Sequence, residues 1–273
     1  MKRITSIILS IAIFVSFNFL GVEQAYAATP SDYVSCWDFD EASGVRYDAN
    51  TTNSNDLTDN NTVTSSSTGK VGTAAEFTAA NTEYLSITDA TQVGLDPGST
   101  YTWAFWYKTK SLNNGFPITK YASGAQSYGL QVSTSGGADF FRIYNSSETT
   151  RDYSYNPVNQ GQWYYYVVTY NSGTATLYVD GTQVGSPTGI GTLSNTSAAF
   201  RIGSLQKYAN NEIDGLMDVV EIYDRVLSGT EITTLYNSGN GVGCTGRSTS
   251  FVPSTPKAVI NSGKMQISGK TQI

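Results

Sequence analysis

Residues Asp38, Asp40, Glu41 and Asp48 crowd one short stretch, and Asn53, Asn55 and Asp56 follow within a few positions. Calcium takes roughly six to eight oxygen ligands from a flexible loop, so this composition suits a structural calcium ion. The expected ligands are Asp40, Asp48 and Asn53, with Asp218 joining from a later strand. The same residue types fill ordinary turns, because Asp and Asn bond to their own backbone, and that reading stays open. Asp218 alternates with Leu216, Val220 and Ile222 and so should point inward, where a carboxylate needs a partner. Arg225, just beyond that run, is the expected ion-pair partner; a calcium shared with the end of the first strand is the competing explanation.

A second constellation is aromatic. Sugars are held by rings that stack on their apolar faces and by side chains that bond their hydroxyls. Tyr121, Tyr128, Tyr144, Tyr153 and Tyr155 stand near Arg142 and Arg151, with Asp152 and Asn156 close by and Tyr208 farther on. The ligand surface is therefore expected around Tyr144–Tyr155. Tyrosine is also a normal strand residue, and nineteen of them cannot all serve a site.

Histidine is absent, which removes Ser–His and Cys–His nucleophiles, imidazole bases and His-rich zinc sites. The net charge is −6, so nucleic acid is not an expected partner. Lys2 and Arg3 precede an apolar run that closes on small residues at 25–28, the pattern of a secretory leader cut after Ala27. Losing Lys2, Arg3 and Glu23 takes the charge from −6 to −7. No later run is apolar and long enough to span a bilayer, and export would place the chain outside the cell.

Two cysteines, Cys36 and Cys244, bracket the domain expected over 28–244; in an oxidising compartment such a pair reads as a disulfide. Residues 245–273 begin Ser/Thr/Pro-rich and turn basic, the composition of a linker and tail. A chain ended at Gly246 should then fold.

The elements that must carry these residues are short and alternating: Val34–Phe39, Thr82–Ile87, Tyr101–Thr109, Tyr128–Ser133, Asp139–Tyr144, Gln162–Tyr170, Thr174–Val179, Phe200–Ser204 and Gly215–Tyr223. This many strands of this length require two packed sheets. Asp180-Gly181 between two such runs marks a tight hairpin. Ser228 with Glu231 three residues on is a capping box, opening one short C-terminal helix that buries Ile232 and Leu235. The fold class is all-β, a two-sheet antiparallel sandwich.

Ordered matches then point to a family. The opening Ser35-Cys-Trp-Asp-Phe-Asp-Glu, then Ala75-Glu-Phe77, Tyr101-Thr-Trp-Ala-Phe-Trp-Tyr-Lys108, Gly161-Gln-Trp163, Leu177-Tyr-Val-Asp-Gly181 and Gly215-Leu-Met-Asp-Val-Val-Glu-Ile-Tyr-Asp-Arg-Val-Leu-Ser228 resemble laminin G-like jelly-roll domains of the concanavalin A-like lectin/glucanase superfamily. The family often has His after the residue matching Trp163; here Tyr164–Tyr166 follow. The resemblance implies a jelly roll that binds glycans or surface partners, sometimes with calcium, often beside enzymes without being one. Laminarinase-type glycosidases on a similar sandwich carry an acidic triad on alternating positions. Glu212-Ile-Asp214 begins such a pattern, but no Glu completes it, and retaining hydrolysis needs paired carboxyls about 5 Å apart. The expectation is a secreted, non-catalytic module for extracellular glycan or a surface protein, with a structural surface or adhesin subunit as the alternative and, behind it, a carbohydrate-active hydrolase using carboxylates outside that triad.

Overall fold

Alternation of apolar and polar residues builds the two sheets. The computed structural model describes residues 28–247 except 112–113, 134–139, 155–157, 209 and 246. The expected leader, 1–27, and nearly all of 245–273 lie outside the described residues. In spatial order the first sheet runs β13 (Thr182–Gly189), β12 (Thr174–Val179), β11 (Tyr164–Asn171), β6 (Thr100–Thr109), β15 (Gly215–Tyr223), β4 (Ala74–Phe77) and β3 (Thr64–Ser66). A further strand, β1 (Ser35–Trp37), pairs with β15 beyond β4. The second sheet runs β10 (Thr150–Ser154), β9 (Phe140–Tyr144), β8 (Ala125–Ser133), β7 (Asn114–Ala122), β14 (Phe200–Ile202), β5 (Tyr84–Ile87) and β2 (Thr58–Asn60). Every strand pairing among the described residues is antiparallel, as a jelly roll requires.

Local chemistry sets the joints. Asp180 and Gly181 both hold positive φ, 50° and 76°, the geometry of a two-residue turn whose twist matches the flanking strands. The helix α1 (Gly229–Tyr236) starts where the capping box places it: Glu231 N–H donates to the Ser228 hydroxyl, and the Ser228 N–H donates to the Glu231 carboxylate at 2.8 Å. It stops at Asn237, whose left-handed φ of 49° ends the turn earlier than the glycines at 239 and 241.

Aromatic residues fill the space between the sheets. Trp37 stacks on Phe200 from the opposite sheet with centroids 5.6 Å apart, and Trp103 meets Tyr128 at 4.8 Å. Such side chains contribute about 1.5–3 kcal/mol each when fully buried. A smaller cluster lies on the outer face of the first sheet, where Ile232 and Leu235 of α1 cover Ala104, Trp106, Tyr165, Val167 and Val219. The Cys36–Cys244 disulfide closes this layer, with Cα atoms 5.7 Å apart across 208 residues of sequence.

Two expectations change here. Asp218 does not share its facing with Val220 and Ile222, because β15 bulges: Asp218 pairs with Trp106 and Glu221 with Ala104, so one extra residue intervenes. Val219 takes a φ of 42° at the bulge, and the parity of the strand reverses there. Met217, Val220 and Ile222 enter the main core while Asp218 turns to the outer layer. Arg225 is not its partner; that guanidinium forks onto Asp32 at 2.6 and 2.7 Å and also pairs with Glu231.

The second correction is the end of the folded body. Arg247 comes from the segment read as linker, yet its side chain is 1% exposed and pairs with Glu221, itself 1% exposed. It also donates to the carbonyls of Pro30, Val242 and Gly243. A chain ended at Gly246 would leave Glu221 buried without its counter-ion.

Candidate functional site

The expected metal ligands separate. Asp40 accepts from Thr73, through the amide at 2.7 Å and the hydroxyl at 3.2 Å. Asp48 accepts from the amides of Cys36, Asn50 and Asn55 at 3.0, 2.9 and 3.1 Å. Asn53 donates its amide to the Val34 carbonyl. Asp218 accepts from the amides of Lys70, Val71 and Val219 at 2.6–2.9 Å. Each side chain is engaged by different backbone, so the oxygens do not converge on one point and this donor set does not fit a calcium ion. Among the described residues no group of three or more acidic or thiol side chains is placed to hold a metal. Asp and Asn here do what turn residues do. Burial pushes the Asp218 carboxyl up to about 8 despite its three amide donors, and burial raises Asp48 and Asp38 as well.

The expected aromatic surface divides in the same way. Tyr128 is fully buried between the sheets, its hydroxyl 3.4 Å from the Leu95 carbonyl. Tyr153 is also interior, donating to the Ala175 carbonyl at 2.7 Å. Tyr153 alternates with the exposed Asp152 and Ser154, whereas Tyr128 lies in a run of β8 that is buried on both faces, and neither can meet a ligand. Arg151 reaches across the edge of the sandwich to the Gly189 carbonyl of β13 at 2.8 Å and ties the two sheets there. Tyr155 lies outside the described residues.

Arg142 and Tyr144 do stand on one strip, the outer face of β9 and its neighbours. Pairing puts Arg142 opposite Gln131 of β8 on one side and Asp152 of β10 on the other. Arg142 forks onto Asp152 at 2.5 and 2.7 Å, with side chains 28% and 43% exposed, so both remain open to a ligand. The Asp152 bonds raise the guanidinium's pKa, and Arg142 holds the Asp152 carboxyl below its usual range. The guanidinium sits 4.6 Å from the Phe140 ring centre and 5.9 Å from that of Tyr144. The Tyr144 hydroxyl donates to Gln131 at 3.1 Å. Phe140 was missed in the sequence, although Phe140, Arg142 and Tyr144 alternate with the buried Phe141 and Ile143 and so share a face.

The segment after β14 forms a wall beside this strip. Leu205 packs with Phe116, Tyr121 and Tyr144, and Lys207 lies over the rings of Tyr121 and Tyr208 at 5.6 and 5.0 Å while pairing with Glu148. Tyr121 is thus 2% exposed, part of the wall rather than an open platform, and burial pushes its hydroxyl up to about 12. Tyr208 is 53% exposed at the rim. The arrangement offers half-exposed rings, a forked ion pair and an amide in one place, and it suits stacking plus hydrogen bonding to polyols. Glu212 and Asp214 stand in the connection just before β15.

Solved structures share the architecture at low identity. Domain 4 of AbnA, an extracellular GH43 arabinanase from Geobacillus stearothermophilus solved with arabinotriose, matches 74% of this chain and 97% of its own, at 18% identity and a TM-score of 0.59. The binding domain of Paraclostridial mosquitocidal protein 1 matches 76% of this chain at 16% identity and a TM-score of 0.59, and Trypanosoma rangeli sialidase, solved with 2,3-difluorosialic acid, matches 80% at 18% and 0.59. This chain covers 52% of the former and 34% of the latter. These likenesses establish the fold. No curated protein matches the sequence. The family profile described as the concanavalin A-like lectin/glucanases superfamily matches residues 79–233, more than half of the chain, and with the jelly-roll sheets and ordered strand motifs in place, the chain belongs to the laminin G-like family of that superfamily.

Proposed function

We propose that this protein is a secreted, non-catalytic recognition module that binds carbohydrate, on a cell surface or as free polysaccharide, along the outer strip of β8–β10. The observation that carries the reading is the Arg142–Asp152 fork, left partly exposed between the Phe140 and Tyr144 rings. Such a fork holds two charged groups rigid without closing them off, and rigid polar groups beside rings bind polyols with little ordering cost. The arabinanase domain, solved with arabinotriose, and the sialidase, solved with a sialic acid derivative, are folded alike and support a carbohydrate ligand. The disulfide suits an oxidising compartment, and no helix among the described residues is long and apolar enough to cross a membrane. Arg142, Asp152 and Tyr144 act by positioning and stacking, and no chemical step is assigned to them.

A glycan array with the full chain, followed by calorimetry on the best ligand, tests this. Tyr144→Ala and Arg142→Ala should each weaken binding about tenfold or more. Binding indifferent to both substitutions, or release of product from labelled polysaccharide by the wild-type chain, would overturn the reading.

A further inference from the structure

Lys120 is the one lysine that is fully buried among the described residues, with 0% of its side chain exposed. Its ammonium lies 2.5 Å from Asp89, 2.9 Å from Asp96 and 2.5 Å from the Thr196 carbonyl. Asp89 and Asp96 belong to the β5–β6 connection, and Thr196 belongs to the β13–β14 connection. One buried cation thus joins two long loops, each of which also sends a leucine, Leu95 or Leu193, into the main core. A buried ion cluster adds little to net stability, because desolvation offsets its Coulombic gain. What it does fix is the relative position of the two loops.

Between those loops lies a cleft of about 580 Å³, within the range of small-ligand sites. Pro97, Gly98 and Ser99 form one wall, directly after Asp96. Thr192 forms the other, a few residues before Thr196, and Tyr170, Ser172 and Gly173 make the floor. The walls are held further from below. Tyr101 donates to the Gly94 carbonyl at 3.0 Å, and the Tyr170 hydroxyl accepts from the Leu193 amide at 3.4 Å and donates to the Gly191 carbonyl at 3.3 Å. None of the lining residues is charged; they present hydroxyls, peptide groups and the apolar side chains of Pro97 and Leu193, over a Tyr170 ring that is 2% exposed. We propose that this cleft is a second binding site, for the neutral terminal residue of a glycan chain, and that Lys120 is its positioning residue. The inference rests on the reading that the chain binds carbohydrate, but not on the strip around Arg142.

The cleft has a clean blocking substitution. A Cβ built on Gly98 meets only the Thr100 carbonyl, at 3.9 Å, so the backbone there accepts a side chain and Gly98→Trp sets an indole at the wall of the cleft. Saturation-transfer NMR on the full chain, with the methyl glycosides of glucose, galactose, mannose and arabinose as probes, reads occupancy directly. At least one glycoside should show transfer that Gly98→Trp abolishes and Gly98→Ala leaves, while Tyr144→Ala does not change it. Lys120→Met should weaken the same glycoside about tenfold at temperatures where the variant is folded, and Lys120→Arg should restore part of that loss; a merely structural lysine would alter melting without moving the affinity. Transfer that survives Gly98→Trp, or is lost only with Tyr144→Ala, overturns the second site and leaves the strip standing. No transfer from any glycoside, with no array hit, overturns both.

Discussion

Two outer faces of the sandwich each carry an arginine forked or paired with a carboxylate, and they differ in what surrounds the pair. On the first sheet Arg247 and Glu221 are each 1% exposed, roofed by α1 and the disulfide. The Glu221 carboxylate also receives the hydroxyls of Tyr223 at 2.9 Å and Tyr165 at 3.4 Å. Its approach to Cys36 Sγ at 3.8 Å is a contact only, since a disulfide sulfur has no proton to donate. On the second sheet Arg142 and Asp152 are 28% and 43% exposed, with the Phe140 and Tyr144 rings beside the guanidinium. The same pair of functional groups is internal scaffolding in one case and a presentable surface in the other. Satisfaction and burial, not residue type, decide which.

That contrast sets the expected sizes of perturbation. Opening the covered face at its covalent tie, with Cys36→Ser and Cys244→Ser together, should destabilise by about 5 kcal/mol in the chain-entropy account and lower Tm by roughly 10–20 °C; calorimetry under oxidising conditions measures it. Arg247→Met, which leaves Glu221 buried and uncompensated, should destabilise by about 3–5 kcal/mol, and pairing it with Glu221→Met should recover most of the loss. If the single and double variants melt alike, Arg247 is not the counter-ion and the contrast fails.

A third effect is in pH. Burial raises the folded Asp218 carboxyl to about 8, and it raises Asp38, Asp48, Asp180 and Glu221 in the same direction. A carboxyl raised on folding binds a proton more tightly in the folded state. Its contribution is present in full below the ordinary carboxylate range and is lost as pH rises through about 8. Asp218 alone should therefore give stability a downward slope of up to about 1.4 kcal/mol per pH unit between those limits. Melting followed from pH 4 to pH 9 should show the decline, and Asp218→Asn should flatten it. The smallest effect belongs to the open face, where Asp152→Asn should change stability by less than about 1 kcal/mol while measurably weakening the best array ligand. A large loss of stability there would mean the strip is scaffolding as well.

Much of the architecture was legible because it depends on period and punctuation. Asp180-Gly181 demanded a turn, Ser228 with Glu231 demanded a helix start, and the cysteine spacing demanded neighbouring ends; each is a local or covalent constraint. The pattern failed where the chain departs from regularity. β7 escaped notice because it carries Pro117 and a core-facing Lys120 and is interrupted by two register shifts, so no alternation survives in its sequence. The bulge at Val219 inverted the facing of Asp218, and a single extra residue in a ladder leaves no trace in composition. The candidate strip was half legible. Arg142 and Tyr144 share strand phase, but Tyr128 and Tyr153 fall on the opposite phase, and tyrosines that cap a core look the same in sequence as tyrosines that meet a ligand. Asp40, Asp48 and Asn53 have the composition of a cation loop, while the backbone partners that engage them and Asp218 are set by folding, some of them far along the chain, such as Asp40 with Thr73 and Asp218 with residues 70 and 71.

Arg247 Nη1 donates to the Pro30 carbonyl at 2.9 Å, and Tyr33 donates to the Cys244 carbonyl at 3.2 Å, so the first and last described residues emerge side by side beneath the roofed layer. The described body therefore takes in and gives out its chain on the side of the first sheet, and the strip of rings with its forked pair, on β9 and β10, belongs to the other sheet.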